Sequence, residues 1–292
     1  MRVLAFPAIV LLVVACGRST GSTGPVTEIP PSNTPTATVF ADEFDGTAID
    51  RARWEVYTGQ VFNNEVQEYV DDTATMRIVH GAEAEGASGG ALLIQARYHP
   101  GARAAGGKSD FASGRLHGRQ TFSRGTVSAR MKLPPGAGLW PAFWLLGVSS
   151  WPAAGEIDIM ENVGDSSWVN AALHGPGYSG NTPFVRRDTL TPATDVTAWH
   201  VYEVSWAQAF VIFKVDGAEY YRVERTDVGA YGPPAAIMDS AKYVILNLAL
   251  GGGYPSAVNG VRTPYLGLPQ STVDRIGRGE ARVLVDWVRW TQ

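Results

Sequence analysis

The chain has 292 residues, 45% of them hydrophobic, and carries 33 glycines and 18 prolines, a composition that supplies one large core and favours short strands over helices. A formal net charge of −4 leaves no basic footprint for nucleic acid, and a single cysteine, Cys16, excludes an intramolecular disulfide. No H-E-x-x-H, C-x-x-C or P-loop pattern occurs, so the chemistry is expected to need no cofactor and no metal.

Met1-Arg2 opens an apolar run to Val14 that is too short for an ordinary membrane span and reads as an export leader over residues 1–15. Leu12-Val13-Val14-Ala15-Cys16 is similar to a bacterial lipobox, which implies cleavage before Cys16 and a lipid on that residue. The protein is then a cell-surface lipoprotein of the outer or plasma membrane, touching the membrane only through this anchor. A plain secretory leader cut after Ala15 is the alternative, and both export the chain. Residues 16–38 are Ser, Thr, Gly and Pro with almost nothing apolar to bury, so the lipid-bearing Cys16 starts a disordered tether. Within it Gly17-Arg18-Ser19-Thr20-Gly21 matches the G-x-S-x-G of serine hydrolases by chance, because that motif acts only on a strained strand-to-helix turn.

One domain, expected to be monomeric, occupies residues 39–292. It opens at Val39-Phe40-Ala41-Asp42-Glu43-Phe44 and continues as alternating strands to the segment 282–290. Asp216-Gly217 joins Phe210–Val215 to Glu219–Val223 as a two-residue hairpin. Such meanders lead to packed antiparallel sheets, a sandwich or a barrel.

The stretch Gly155-Glu156-Ile157-Asp158-Ile159-Met160-Glu161 places three carboxylates within six residues. On a regular strand Glu156 and Asp158 face one side and Ile157 and Ile159 the other. Strict alternation sends Glu161 into the core, at a cost of several kcal/mol for an unpaired charge, so a β-bulge near Ile159 or Met160 is expected to return it to the face of the other two acids. Two glutamates about 5 Å apart on one face suit hydrolysis of a glycosidic bond with retention. Sugars also need aromatic platforms. Trp140 and Trp144, four apart, share a strand face and are expected to floor a cleft, with Trp151 a third candidate. Core packing is the expectation for Trp54, Trp199, Trp206 and Trp287.

Gly138-Leu139-Trp140-Pro141-Ala142-Phe143-Trp144 followed by Glu156-Ile157-Asp158-Ile159-Met160-Glu161 resembles the catalytic region of glycoside hydrolase family 16, in its laminarinase-like, endo-β-1,3-glucanase branch. The likeness extends over roughly residues 40–292, through Asn63-Asn64-Glu65-Val66-Gln67-Glu68-Tyr69, Gly125–Pro134, His174-Gly175-Pro176-Gly177, Leu246–Gly252 and Val285–Arg289. It implies an all-β, two-sheet jelly-roll sandwich of the concanavalin A-like type with an open concave cleft for polysaccharide. It further implies Glu156 as nucleophile, Glu161 as acid/base with a pKa raised by a neighbouring negative charge, and Asp158 assisting. Asn64, Glu65, Arg115, His174 and Asn247 are implied as polar contacts around sugar or carboxylates. A structural Ca²⁺ would take Glu43 and Asp286, with a carbonyl from Gly90. The alternatives are a family member acting on agar or carrageenan galactans, a transglycosylase, and, from another class, a non-catalytic glucan-binding domain.

Overall fold

The structure, a computed structural model, describes residues 37–191 and 194–292. The leader 1–15, Cys16 and the tether up to residue 36 lie outside the described residues. In chain order the strands are β1 (Thr38–Asp42), β2 (Trp54–Val56), β3 (Gln67–Tyr69), β4 (Met76–Val79), β5 (Ala91–Gln95) and β6 (Arg97–Tyr98). They continue as β7 (Phe111–Ser113), β8 (Arg115–Gly118), β9 (Gly125–Lys132), β10 (Leu139–Gly147), β11 (Glu156–Glu161) and β12 (Trp168–His174). The last are β13 (Val185–Thr189), β14 (His200–Trp206), β15 (Phe210–Val215), β16 (Ala218–Glu224), β17 (Lys242–Leu250) and β18 (Arg282–Thr291). Among the described residues four short α-helices, α1 (Arg225–Gly229), α2 (Ala235–Met238), α3 (Gly253–Asn259) and α4 (Gln270–Gly277), sit in the connections.

Two antiparallel sheets account for most strands. One runs β16-β15-β14-β9-β18-β5-β4, with β1 also on β18; the other runs β13-β12-β11-β10-β17-β8-β2. Their facing sides supply one core in which Val127, Ala129, Met131, Val285 and Trp290 of the first sheet belong to the same cluster as Phe143, Leu145, Ile157, Leu173 and Leu246 of the second. This is the two-layer sandwich that the family likeness implies, one of the two outcomes the meanders left open, with period-2 burial fixing which side of each strand is inward. A small third sheet, β3-β7-β6, adds a parallel pair, Gln67–Tyr69 on Phe111–Ser113.

Tryptophan placement departs from expectation in part. Trp54 and Trp206 are buried in the core. Trp199 and Trp287 are only half-buried on the outer face, each beneath an arginine: Arg130 lies 4.8 Å from the Trp199 ring centre and Arg289 4.2 Å from that of Trp287. A guanidinium stem covers an indole there as effectively as a second layer of protein, so these rings need no core.

Candidate active site

Strand β10 sets the floor. Leu139, Phe143 and Leu145 point into the core, and Trp140, Ala142, Trp144 and Leu146 line a cavity of about 280 Å³ on the other side. Next to it β11 pairs Phe143 with Met160 but Trp144 with Asp158, leaving Ile159 as the extra residue of a bulge. Ile159 and Met160 both enter the core, and Glu156, Asp158 and Glu161 all line the cavity. Two consecutive apolar residues are thereby buried while the strand's acids keep one face.

The turn into β11 depends on Gly155, at φ 68°, where an added Cβ would meet the Ala236 carbonyl at 1.9 Å. That carbonyl, on α2, also accepts from the buried Lys242 Nζ at 2.6 Å, and burial lowers the Lys242 pKa to about 7. The approach to Glu156 is thus clamped from behind.

All three carboxyls are pushed above their ordinary values, and burial is the largest cause in each. Glu156 and Asp158 are driven well above, with the charge of Asp158 adding to Glu156 and that of Glu161 to both. At Glu161 two bonds oppose the rise: Trp140 Nε1 donates to Oε1 at 2.8 Å and Asn170 Nδ2 to Oε2 at 3.1 Å, and both favour the carboxylate. The sequence argument assigned the raised pKa to Glu161 through a neighbouring charge. The structure instead makes burial the leading cause for both glutamates. His174 Nε2 stands 3.3 Å from Asp158 Oδ2 and 4.0 Å from Glu156 Oε1.

Trp140 was expected as an open platform. Its ring is instead 9% exposed, packed with Val163, Trp168, Ala249 and Tyr254, so what it offers the cavity is chiefly the N–H held by Glu161. Trp144 is half-buried and donates Nε1 to Asn247 Oδ1 at 2.8 Å; Asn247 Nδ2 reaches Tyr69 Oη at 3.4 Å. Asn247 is therefore spent largely on protein groups. Trp151, 51% exposed, stands at the cavity's edge, and its indole N–H favours the charged form of Glu156.

Arg115, on β8, is 7% exposed, with its guanidinium carbon 4.6 Å from the Tyr57 ring centre and 4.9 Å from that of Trp144. Its Nε donates to His117 Nε2 at 2.8 Å. Burial first, and then the Arg115 charge, lower the His117 pKa to about 3, so His117 is the neutral acceptor. Among the described residues no protein group takes the terminal nitrogens of Arg115, which border the cavity. Glu65 Oε2 accepts from Gln67 Nε2 at 2.6 Å and Tyr69 Oη at 3.3 Å.

The turn before Glu65 has Asn63 and Asn64 at φ 52° and 57°, closed by Glu65 N–H on the Phe62 carbonyl at 2.9 Å. Asparagine tolerates this left-handed pair, which turns successive side chains apart. Asn63 and Phe62 line the main cavity, whereas Asn64, the expected contact, lines a neighbouring one of about 930 Å³. Phe62, Asn63, Asn170 and Tyr254 escaped the sequence reading. The asparagine pair was visible, but which member faced the cavity depended on backbone dihedrals.

The expected calcium ligands are otherwise engaged. Glu43 takes Arg289 on both carboxylate oxygens at 2.9 Å. Asp286 accepts Ser88 N–H at 2.7 Å, Ser88 Oγ at 3.0 Å and Arg130 at 2.6 Å. Gly90 packs so closely on the Phe44 carbonyl that a Cβ would fall 2.3 Å from it. Calcium requires six or more oxygens. Two carboxylates each closed on an arginine do not fit it. Among the described residues, the three groups with ligand-like spacing, within 4.8 Å, are Glu156, Asp158 and His174.

A profile of the glycosyl hydrolases family 16 matches residues 59–249. The chain is similar to a β-glucanase of Rhodothermus marinus, at 32% identity over 74% of this chain and 76% of the relative. It is also similar to glucan endo-1,3-β-glucosidase A1 of Niallia circulans, at 31% identity over 77% of this chain but only 35% of that longer protein. Among solved structures it superposes on the endo-β-1,3-glucanase of Pyrococcus furiosus with a TM-score of 0.72 and 32% identity, covering 88% of this chain and 94% of the other.

Proposed function

The chain belongs to glycosyl hydrolase family 16, and from that premise we propose that it cuts β-1,3-linked glucan within the chain, with retention, using Glu156 as nucleophile and Glu161 as acid and base. The observation that carries this reading is the bulged strand: it sets two glutamates on one face of an aromatic-walled cavity, with no lysine or arginine paired to either among the described residues.

In the first step Glu156 attacks the anomeric carbon while Glu161 gives its proton to the departing glycosidic oxygen. A proton on Asp158, whose carboxyl interacts with that of Glu156, lets the nucleophile carry the charge in a site that disfavours two charges together. Once Glu156 becomes an ester its charge is gone, and the two N–H donors on Glu161 hold the resulting carboxylate ready to take a proton from water. That water attacks the anomeric carbon from the side the leaving group vacated and frees Glu156. Arg115, Trp144, Glu65 and Asn63 bind the sugars retained on the enzyme, and the exposed rings of Phe62 and Trp151 stack on sugar faces.

Azide tests the roles. With an activated aryl glycoside, Glu161→Ala is expected to give the β-glycosyl azide, because the glycosyl-enzyme still forms and azide enters on the β side. Glu156→Ala is expected to give the α-glycosyl azide by direct displacement. Reversed anomers would exchange the two assignments, and near wild-type hydrolysis by either variant would end the paired-carboxylate mechanism. Export and a lipid on Cys16 belong to the same reading; identical partitioning of wild type and Cys16→Ser into the aqueous phase of a detergent extraction would count against the anchor.

A further inference from the structure

The register across the cleft sheet carries one more site. Reading perpendicular to the strands, Arg187 of β13 faces Asn170 of β12, which faces Glu161 of β11, then Ala142 of β10, Asn247 of β17 and Arg115 of β8. Two arginines therefore end one row, on opposite sides of the acid/base. Arg115 lies among the residues lining the cavity, and Arg187 lies beyond them. Strands repeat every 4.7–4.9 Å, so Arg187 stands about 10 Å from the backbone of Glu161, roughly two strand spacings.

The Arg187 guanidinium carbon lies over Trp168, 3.6 Å from its ring centre, and Trp168 is 4% exposed. Trp168 and Asn170 alternate with core residues Val169 and Ala171, which puts both on the cleft side. Arg187 itself is exposed, and among the described residues no carboxylate comes within ion-pair distance of it. A planar cation stacked on an indole keeps its in-plane N–H groups free and fixed in direction. That is a preformed donor edge with no acceptor among the described residues.

We propose that Arg187 on Trp168 forms a subsite for the leaving part of the glycan, holding the second sugar beyond the cleaved bond through a pair of its hydroxyls. The assignment rests on the hydrolysis proposed above. A glycan laid perpendicular to the strands, with the ring leaving Glu161 over β12, brings the next ring over β13.

Two substrates separate this role from a structural one: a β-1,3-glucan oligosaccharide long enough to place two sugars beyond the cut, and the para-nitrophenyl glycoside of a shorter one, whose leaving group is a single ring. Arg187→Ala is expected to lower kcat/KM about tenfold on the first, as for loss of charge-assisted hydrogen bonds, and to leave the second unchanged. Arg187→Lys, which keeps the charge but not the planar donor edge, is expected to recover only part. An equal fall on both substrates, no change on either, or a gain from uncovering Trp168 would each overturn the subsite. Wild type that cuts neither substrate would overturn the hydrolysis reading and the subsite with it, and is recognised by the absence of any wild-type rate.

Discussion

The bulges of β11 and β18 both lie beside a carboxylate, and the two strands use them in opposite ways. In β11 the doubled positions, Ile159 and Met160, are buried in the core and the acids are left on the cleft side. In β18 the register against β9 slips between Val285 and Trp287, so the extra residue is the carboxylate itself, Asp286, beside the half-buried Trp287. Asp286 is closed at once by Arg130 and Ser88. Neighbouring charges on the same sheet are matched likewise, Lys214 with Glu203 and Arg289 with Glu43. Among the described residues no lysine or arginine pairs with the acids of β11. A buried carboxylate held by arginine is finished structure; one held by indole and amide N–H groups alone remains able to exchange a proton.

Alanine at the two sites should therefore break different properties. Glu161→Ala is expected to reduce turnover of a β-1,3-glucan by about 10³-fold or more with little change in Tm, since the desolvation relieved by removing a buried carboxyl offsets the two N–H bonds it accepts. Asp286→Ala should do the reverse. It leaves Arg130 without its acid, and because that side chain is 27% exposed the loss is about 2–3 kcal/mol rather than the full cost of a buried pair. Thermal unfolding should show a fall of roughly 5–10 °C with turnover retained. Equal damage by both variants in both assays would erase the distinction between the two bulges.

Trp140→Phe sharpens the comparison within the cleft. The ring packing against Trp168 and Tyr254 largely survives, but the N–H to Glu161 is lost, so kcat should drop about tenfold. Because that bond favours the carboxylate, its loss raises the Glu161 pKa and should move the basic limb of the pH–rate profile upward. An unmoved profile would reduce Trp140 to packing.

Glu156→Gln tests the cost of the unpaired acid. Its pKa is raised above the ordinary 4.5 on folding, so the native state binds the proton more tightly and stability is lost as pH rises from that value through the folded pKa. The amide removes this loss. Tm of the variant should exceed wild type by a few degrees, about 2–4 °C, at pH 7, and the two should converge as pH falls towards 4. A variant less stable than wild type at pH 7 would contradict the burial argument. The smallest effect is expected from calcium, which should shift Tm by less than about 1 °C, because Arg130 and Arg289 already satisfy Asp286 and Glu43. A large calcium-dependent rise would mean that the arginines give way to the ion.

What the sequence by itself determined is whatever follows from period and local cost. The alternation Ile157, Ile159 against Glu156, Asp158 defines a strand with two unlike faces, and the misplaced Glu161 demands a bulge, because the alternative is an unpaired charge among apolar side chains. Many such strands joined by short turns lead to packed antiparallel sheets, a sandwich or a barrel, and the family likeness narrows this to two sheets. Tertiary structure decided matters that need a partner from elsewhere in the chain. Trp140 reads as a platform along β10, yet Tyr254 and Trp168, far off in sequence, enclose its ring and leave the N–H as its contribution. Asn63 rather than Asn64 faces the cavity because two left-handed residues turn the chain between them. Glu43 and Asp286 look like calcium ligands until β9 and β18 bring Arg130 and Arg289 against them. In each case the sequence specifies what a side chain can do, and the long-range register of the sheets decides which neighbour it does it with, since strand pairing joins residues that no local pattern links.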